Sequence, residues 1–178
     1  MSKAQIGTII SRTLRPQDLI PALIDEAKSI MVGSEHNPPD PFFAENGIDT
    51  KADFEAFMAR LPNPIRTKLH DLDDDDDWWH SEEASCVLNE DIWELMTSLC
   101  PAYTYFGSLP GDGADFGYWP DIDFIEEQVF CDEMLKVNDW SDVPHDYDGD
   151  VVQVNDHGNV TVGYHKDGEL KTVYWDCV

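Results

Sequence analysis

Positive charge is what this sequence has least of. Lysine and arginine number 11 against 37 aspartate and glutamate, a formal charge of −26 at neutral pH over 178 residues. A body this negative is repelled by DNA, RNA and anionic lipid within a Debye length of about 8 Å in physiological salt, so direct nucleic-acid binding and a membrane surface are both excluded as expectations. No stretch approaches the roughly 18 apolar residues of a membrane span. Met1 to Leu14 lacks the apolar block and small-residue cleavage site of a secretory signal. The expected location is therefore cytoplasmic, in a host cell. Cysteine is also sparse: Cys86, Cys100, Cys131 and Cys177 stand far apart without a CxxC pair, which predicts reduced, mostly buried thiols.

What is present is enough to fold. With 42% hydrophobic and 11% aromatic residues, the chain can fill one core of ordinary size, and a single domain over 1–178 is expected. Its charge is uneven. Met1 to Lys68 holds 8 basic and 9 acidic residues, a balanced part. The part from 69 to 135 holds 19 acidic residues and no Lys or Arg, and Lys136 to Val178 holds 3 basic and 9 acidic residues. A proteome-wide acidic habit would spread such charge from end to end. Self-repulsion among 19 like charges costs stability, so their persistence in one segment points to a use; the competing reading is a solvated, solubilising face.

Hydrophobic periodicity gives the elements. From Pro16, residues Leu19, Ile20, Leu23, Ile24, Ala27, Ile30 and Met31 recur at helical spacing up to Val32-Gly33. Ser34 to Gly47, with Pro38, Pro39 and Pro41, reads as an extended connection. Thr50 is placed as an N-cap for a helix with the stripe Phe54, Phe57, Met58 and Leu61, and a short helix is expected from Pro64 to about Leu72. Asn89 is placed as the N-cap of another helix, with Ile92, Leu95, Met96 and Leu99 inward and Glu90, Asp91 and Glu94 outward. Tyr103 to Gly107 and Phe116 to Trp119 read as a hairpin joined across Ser108 to Asp115. Asp121 or Asp123 caps a helix with Ile122, Phe124, Ile125, Val129 and Leu135 inward. Val151 to Val154, Val160 to Tyr164 and Leu170 to Trp175 form a three-stranded meander. Helices first and strands later give an α+β domain, with N-terminal and central helices packed on an antiparallel sheet.

Motifs for chemistry are weak. Asp146, Asp148 and Asp150 open a calcium-loop spacing, but Val151 stands at the glycine position and His157 at the closing glutamate. Asp115-Phe116-Gly117 matches a kinase triplet without its glycine loop and lysine. Gly111 and Gly113 neighbour Asp112 and Asp115, which would repel phosphate. The six histidines and four cysteines lack zinc spacing. Neither catalytic residue, metal nor cofactor is expected. Trp78, Trp79, Trp119 and Trp140 could anchor an interface, although tryptophan is more often core; Trp78 and Trp79, directly after the run Asp73 to Asp77, would give a charged patch an apolar centre.

One magnitude favours mimicry. B-DNA carries one charge per roughly 1.7 Å of axis, so a compact body some 40 Å across matches a duplex segment with about 24 phosphates, close to the 26 net charges of this chain. Carboxylates placed where phosphates would lie can occupy the basic groove of a nucleic-acid-binding protein. The segments Gly7-Thr8, Thr13 to Ala22, Ser81-Glu82-Glu83-Ala84, Leu88 to Asp91, Tyr105 to Trp119 and Val154 to Thr161 together resemble a group of uncharacterised phage- and plasmid-borne proteins over most of the chain. The resemblance implies a mobile-element origin and carries no catalytic residues. In general character the chain is similar to phage DNA mimics that inhibit restriction or CRISPR enzymes.

The expected function is inhibition of a defence nuclease complex through its basic DNA- or RNA-binding surface. The partner-contacting candidates are Asp73, Asp74, Asp75, Asp76, Asp77, Trp78, Trp79, Glu82, Glu83, Glu90, Asp91, Glu94, Glu126 and Glu127. The partner is a basic nucleic-acid-binding protein or complex, and a homodimer is compatible with the sequence. The rival readings are an immunity-type protein that neutralises a basic toxin enzyme, and a metal-dependent hydrolase using clustered carboxylates with His145 or His157.

Overall fold

The computed structural model describes residues 4–33 and 50–177; the extended connection expected over Ser34 to Gly47 lies outside them. The architecture is α+β. The chain forms two compact units, one of Met1–Cys100 and Phe106–Tyr118, the other of Pro101–Tyr105 and Trp119–Val178. Among the described residues, no helix is long and apolar enough to cross a membrane.

The first unit is built around α1, Pro16–Met31, whose buried face is the stripe Leu19, Ile20, Leu23, Ile24, Ala27, Ile30 and Met31. Pro16 suits the first turn, where its missing N–H costs nothing. Pro21 is tolerated further inside the helix than its chemistry favours. The helix α2, Thr50–Arg60, buries Phe54 and Phe57, and Leu61 follows it into the core. The Thr50 hydroxyl, expected to cap α2, donates instead to the Met31 carbonyl at 2.6 Å, satisfying an orphan acceptor at the end of α1. The short α3, Asn63–Lys68, contributes Ile65 and stops before the expected Leu72.

Next come a 3₁₀ turn, Asp77–His80, and α4, Glu82–Cys86, then a π-helical turn, Val87–Ile92, and α5, Trp93–Ser98. Ser81 caps this helical run, its Oγ accepting from Ala84 N at 3.1 Å. Asn89 is therefore not an N-cap. It lies inside the run, and its side-chain amide donates to the Ser85 carbonyl at 2.9 Å, the acceptor its own backbone N–H would use in an α-helix. That competition is a local reason for the π turn.

A strand missing from the sequence expectation, β1, Gly7–Ser11, pairs antiparallel with β3, Asp112–Pro120, and the sheet order is β1-β3-β2 with β2, Thr104–Leu109. The hairpin strands run farther into the expected turn than anticipated, leaving Pro110-Gly111 at the tip, with Gly111 at φ +92°. Gly117 lies so close to β1 that a Cβ there would collide with the Gly7 carbonyl oxygen.

The second unit holds α6, Ile122–Phe130, and a mixed sheet ordered β4-β5-β6-β7, of Met134–Val137, Gly149–Val154, Val160–Lys166 and Glu169–Cys177. The last three strands are the expected antiparallel meander. Strand β4 runs parallel to β5 and corrects the placing of Leu135 in the preceding helix, which ends at Phe130. Asp121 caps α6, accepting from Phe124 N at 3.1 Å. Ile125 is buried as expected, but Ile122, Phe124 and Phe130 are exposed. The thiols also differ from the expected burial: Cys86 and Cys131 are exposed and Cys100 is half-buried, and none of the three forms a disulfide.

Candidate partner-binding surface

The Asp73 to Asp77 run is a folded loop, held by its own acids and by aromatic packing. Asp73 Oδ1 accepts from Asp75 N at 3.2 Å, and Asp76 Oδ1 accepts from Trp78 N at 2.9 Å, capping the 3₁₀ turn. These are the local side-chain-to-backbone bonds that aspartate favours in turns. The Trp79 indole N–H donates to the Asp73 carbonyl at 2.9 Å, so the core residue holds the start of the loop. Asp74 lies 3.5 Å from the Arg15 guanidinium, which also meets Asp18 at 3.6 Å.

The two tryptophans part company here. Trp79 is 3% exposed and belongs to the core, so it is withdrawn from the contact candidates. Trp78 is half-buried, packs edge-on against Trp79 at 5.1 Å and donates to Glu83 Oε2 at 2.7 Å. Consecutive residues of a 3₁₀ turn point about 120° apart, so one of an adjacent pair can enter the core while the other stays at the surface.

Glu82 and Glu83 occupy the first turn of α4, where the helix dipole favours negative charge. Glu90 and Asp91, in the π turn, and Glu94, in α5, are all exposed. Between them stands Trp93, one position off the inward stripe and absent from the sequence-derived candidates. Its ring packs edge-on against Phe106 at 5.0 Å and Phe116 at 6.3 Å while its residue stays 36% exposed. A tryptophan among three acids was the available sequence signal.

Glu126 and Glu127 are exposed on α6, which belongs to the second unit, whereas the other candidates belong to the first. The acidic segment is thus divided, and both units carry its charge: by sequence the first holds 8 basic and 22 acidic residues, the second 3 and 15. Of the 19 acids in 69–135, 16 are exposed. Among the described residues only Asp74 of these joins an ion pair.

The carboxylates of the 146–150 stretch behave differently. Asp150 accepts from the hydroxyls of Tyr103 and, at 2.8 Å, Tyr174, while its carbonyl accepts from the Tyr147 hydroxyl at 2.9 Å. Asp148 accepts from the Tyr164 hydroxyl at 2.5 Å and lies 3.6 Å from Lys166. Burial, then the bond to Asp150 and its charge, pushes the Tyr103 and Tyr174 phenols well above their ordinary range. They are held as protonated donors, poor candidates for a catalytic base. Among the described residues, no three His, Cys, Asp or Glu side chains converge to hold a metal.

No protein-family model matches the chain, and neither a curated protein nor a solved structure is similar to it.

Proposed function

We propose that the protein is a nucleic-acid mimic that occupies the basic DNA- or RNA-binding surface of a host defence nuclease complex, of CRISPR or restriction type. One observation carries this reading: 16 of 19 acids in the cation-free segment are exposed, and one of the 19 is in an ion pair among the described residues. Asp73, Asp76, Glu83 and Asp121 accept local hydrogen bonds that serve the fold, but with Asp74 alone paired to a cation among the described residues the charge of the segment stays largely uncompensated. In a cationic groove, that charge replaces the phosphates of the displaced nucleic acid and its mutual repulsion is relieved. A mobile-element origin accords with such a role, since invading DNA gains from disabling a nuclease.

The test is interference. Expression of the protein in cells carrying a CRISPR or restriction system should restore transformation by a targeted plasmid, and the charge-reversed protein, with Asp73 to Asp77, Glu90, Asp91 and Glu94 changed to Lys, should not. Restoration by that folded variant would overturn the proposal. Binding to a basic enzyme that saturating competitor DNA leaves untouched would indicate an immunity-type toxin neutraliser instead.

A further inference from the structure

The first unit has an open apolar cavity of about 160 Å³ beside the acidic helical run. Its buried end is formed by Leu19 and Leu23 of α1, at 4% and 1% exposure, and its mouth by Leu14, at 65%. Leu88, Trp93 and Phe116 complete the apolar lining, and Asn89 is its polar member. About 150 Å³ of such space accommodates a benzene ring, so the cavity suits one phenylalanine- or leucine-sized side chain. Edge contacts with Phe106 and Phe116 brace Trp93, so little ordering cost attends binding.

The charge around the mouth sets the chemistry of the occupant. Asn89 and Trp93, four residues apart, line the cavity, and the exposed Glu90 and Glu94 each follow one of them, forming a neighbouring anionic row along the same helical run. Of the cations close to Leu14 in sequence, Arg15 is already engaged by Asp18 and Asp74, and Arg12 is exposed two residues before Leu14. We infer that this cavity takes a single apolar side chain, aromatic or leucine-like, presented by a Lys/Arg-rich segment of the protein partner. The inference rests on the mimic reading and adds to it: charge brings the partner's cationic surface near, and one anchor fixes its register. A pocketed apolar anchor carries binding energy while charge beside it steers the encounter and fixes register.

The probe is a synthetic peptide of Lys and Arg with one central Phe, compared with the same peptide carrying Ala, titrated against the full chain by calorimetry. Burying a ring predicts about tenfold or tighter binding for the Phe peptide. Leu14→Glu, at an exposed position, should abolish that ratio with the fold intact by circular dichroism; Glu90→Gln with Glu94→Gln should weaken both peptides alike and leave it unchanged. Equal affinity of the two peptides, or a ratio untouched by Leu14→Glu, would overturn the inference. A lost Phe preference in a protein that still displaces nucleic acid removes the anchor alone. A kept preference in a protein that displaces none removes the mimic and leaves the pocket.

Discussion

The adjacent tryptophans make a sharp test of how the acidic loop is held. Trp79→Ala deletes a side chain that is 3% exposed in the main core of the first unit, together with the indole bond to the Asp73 carbonyl. Tryptophan-to-alanine changes in a core cost about 3–5 kcal/mol, against a total stability of about 5–15 kcal/mol for a domain. Trp78→Ala removes a half-buried ring and one exposed bond to Glu83, for which about 1 kcal/mol is reasonable. Urea unfolding of both variants, followed by far-UV circular dichroism with the slope fitted freely, separates the cases. The reasoning expects a much lower midpoint for Trp79→Ala than for Trp78→Ala, at similar slopes. Equal losses, or a larger loss at Trp78, would refute the assignment of Trp79 as the anchor of the loop.

Three further outcomes are expected. Asp150→Asn replaces a charged acceptor shared by two phenols and should lower stability by about 1–2 kcal/mol near neutral pH in thermal unfolding. Because the folded state raises the Tyr103 and Tyr174 phenols above the ordinary 10, and burial raises Tyr118 likewise, the stability they contribute is intact below pH 10 and is lost as pH rises beyond it. The melting temperature should therefore fall above pH 10, less steeply in Asp150→Asn; an unchanged alkaline slope in that variant would contradict the assigned cause. Gly117→Ala should cost about 2 kcal/mol or more through its collision with the Gly7 carbonyl, whereas Gly113→Ala, with open space around it, should leave the urea midpoint almost unmoved.

Much of the fold was legible because its elements are long and periodic. The α1 stripe from Leu19 to Met31 emerges as written, and the meander strands are separated by the turns that Asn155 to Asn159 and His165 to Gly168 signal, the second shortened to Asp167-Gly168 because β6 runs on to Lys166. Asp167 and Gly168 both adopt positive φ, the conformation a tight hairpin needs. The failures have physical causes. Strands β1 and β4, five and four residues long, are too short for a period to register, and β4 follows a helix stop set by Asp132 at φ +59°. Asn89 misled because the side chain that caps a helix can also compete for a carbonyl within one.

The candidate surface was less legible than the fold. The sequence located the carboxylates but not their division between two units, and Trp93 went unnoticed because it sits off the inward stripe. Trp78 and Trp79 read alike as a pair, yet only one can enter the core from a 3₁₀ turn. Burial of such a pair is a tertiary property that spacing alone does not resolve.

The most direct measurement is displacement of a fluorescent duplex from a purified host CRISPR or restriction complex, followed by anisotropy while this protein is titrated at 50 and 300 mM NaCl. Mimicry through exposed carboxylates predicts competitive displacement, an apparent affinity more than tenfold weaker at the higher salt, and none for the folded charge-reversed variant. Displacement that ignores salt and survives charge reversal would contradict it.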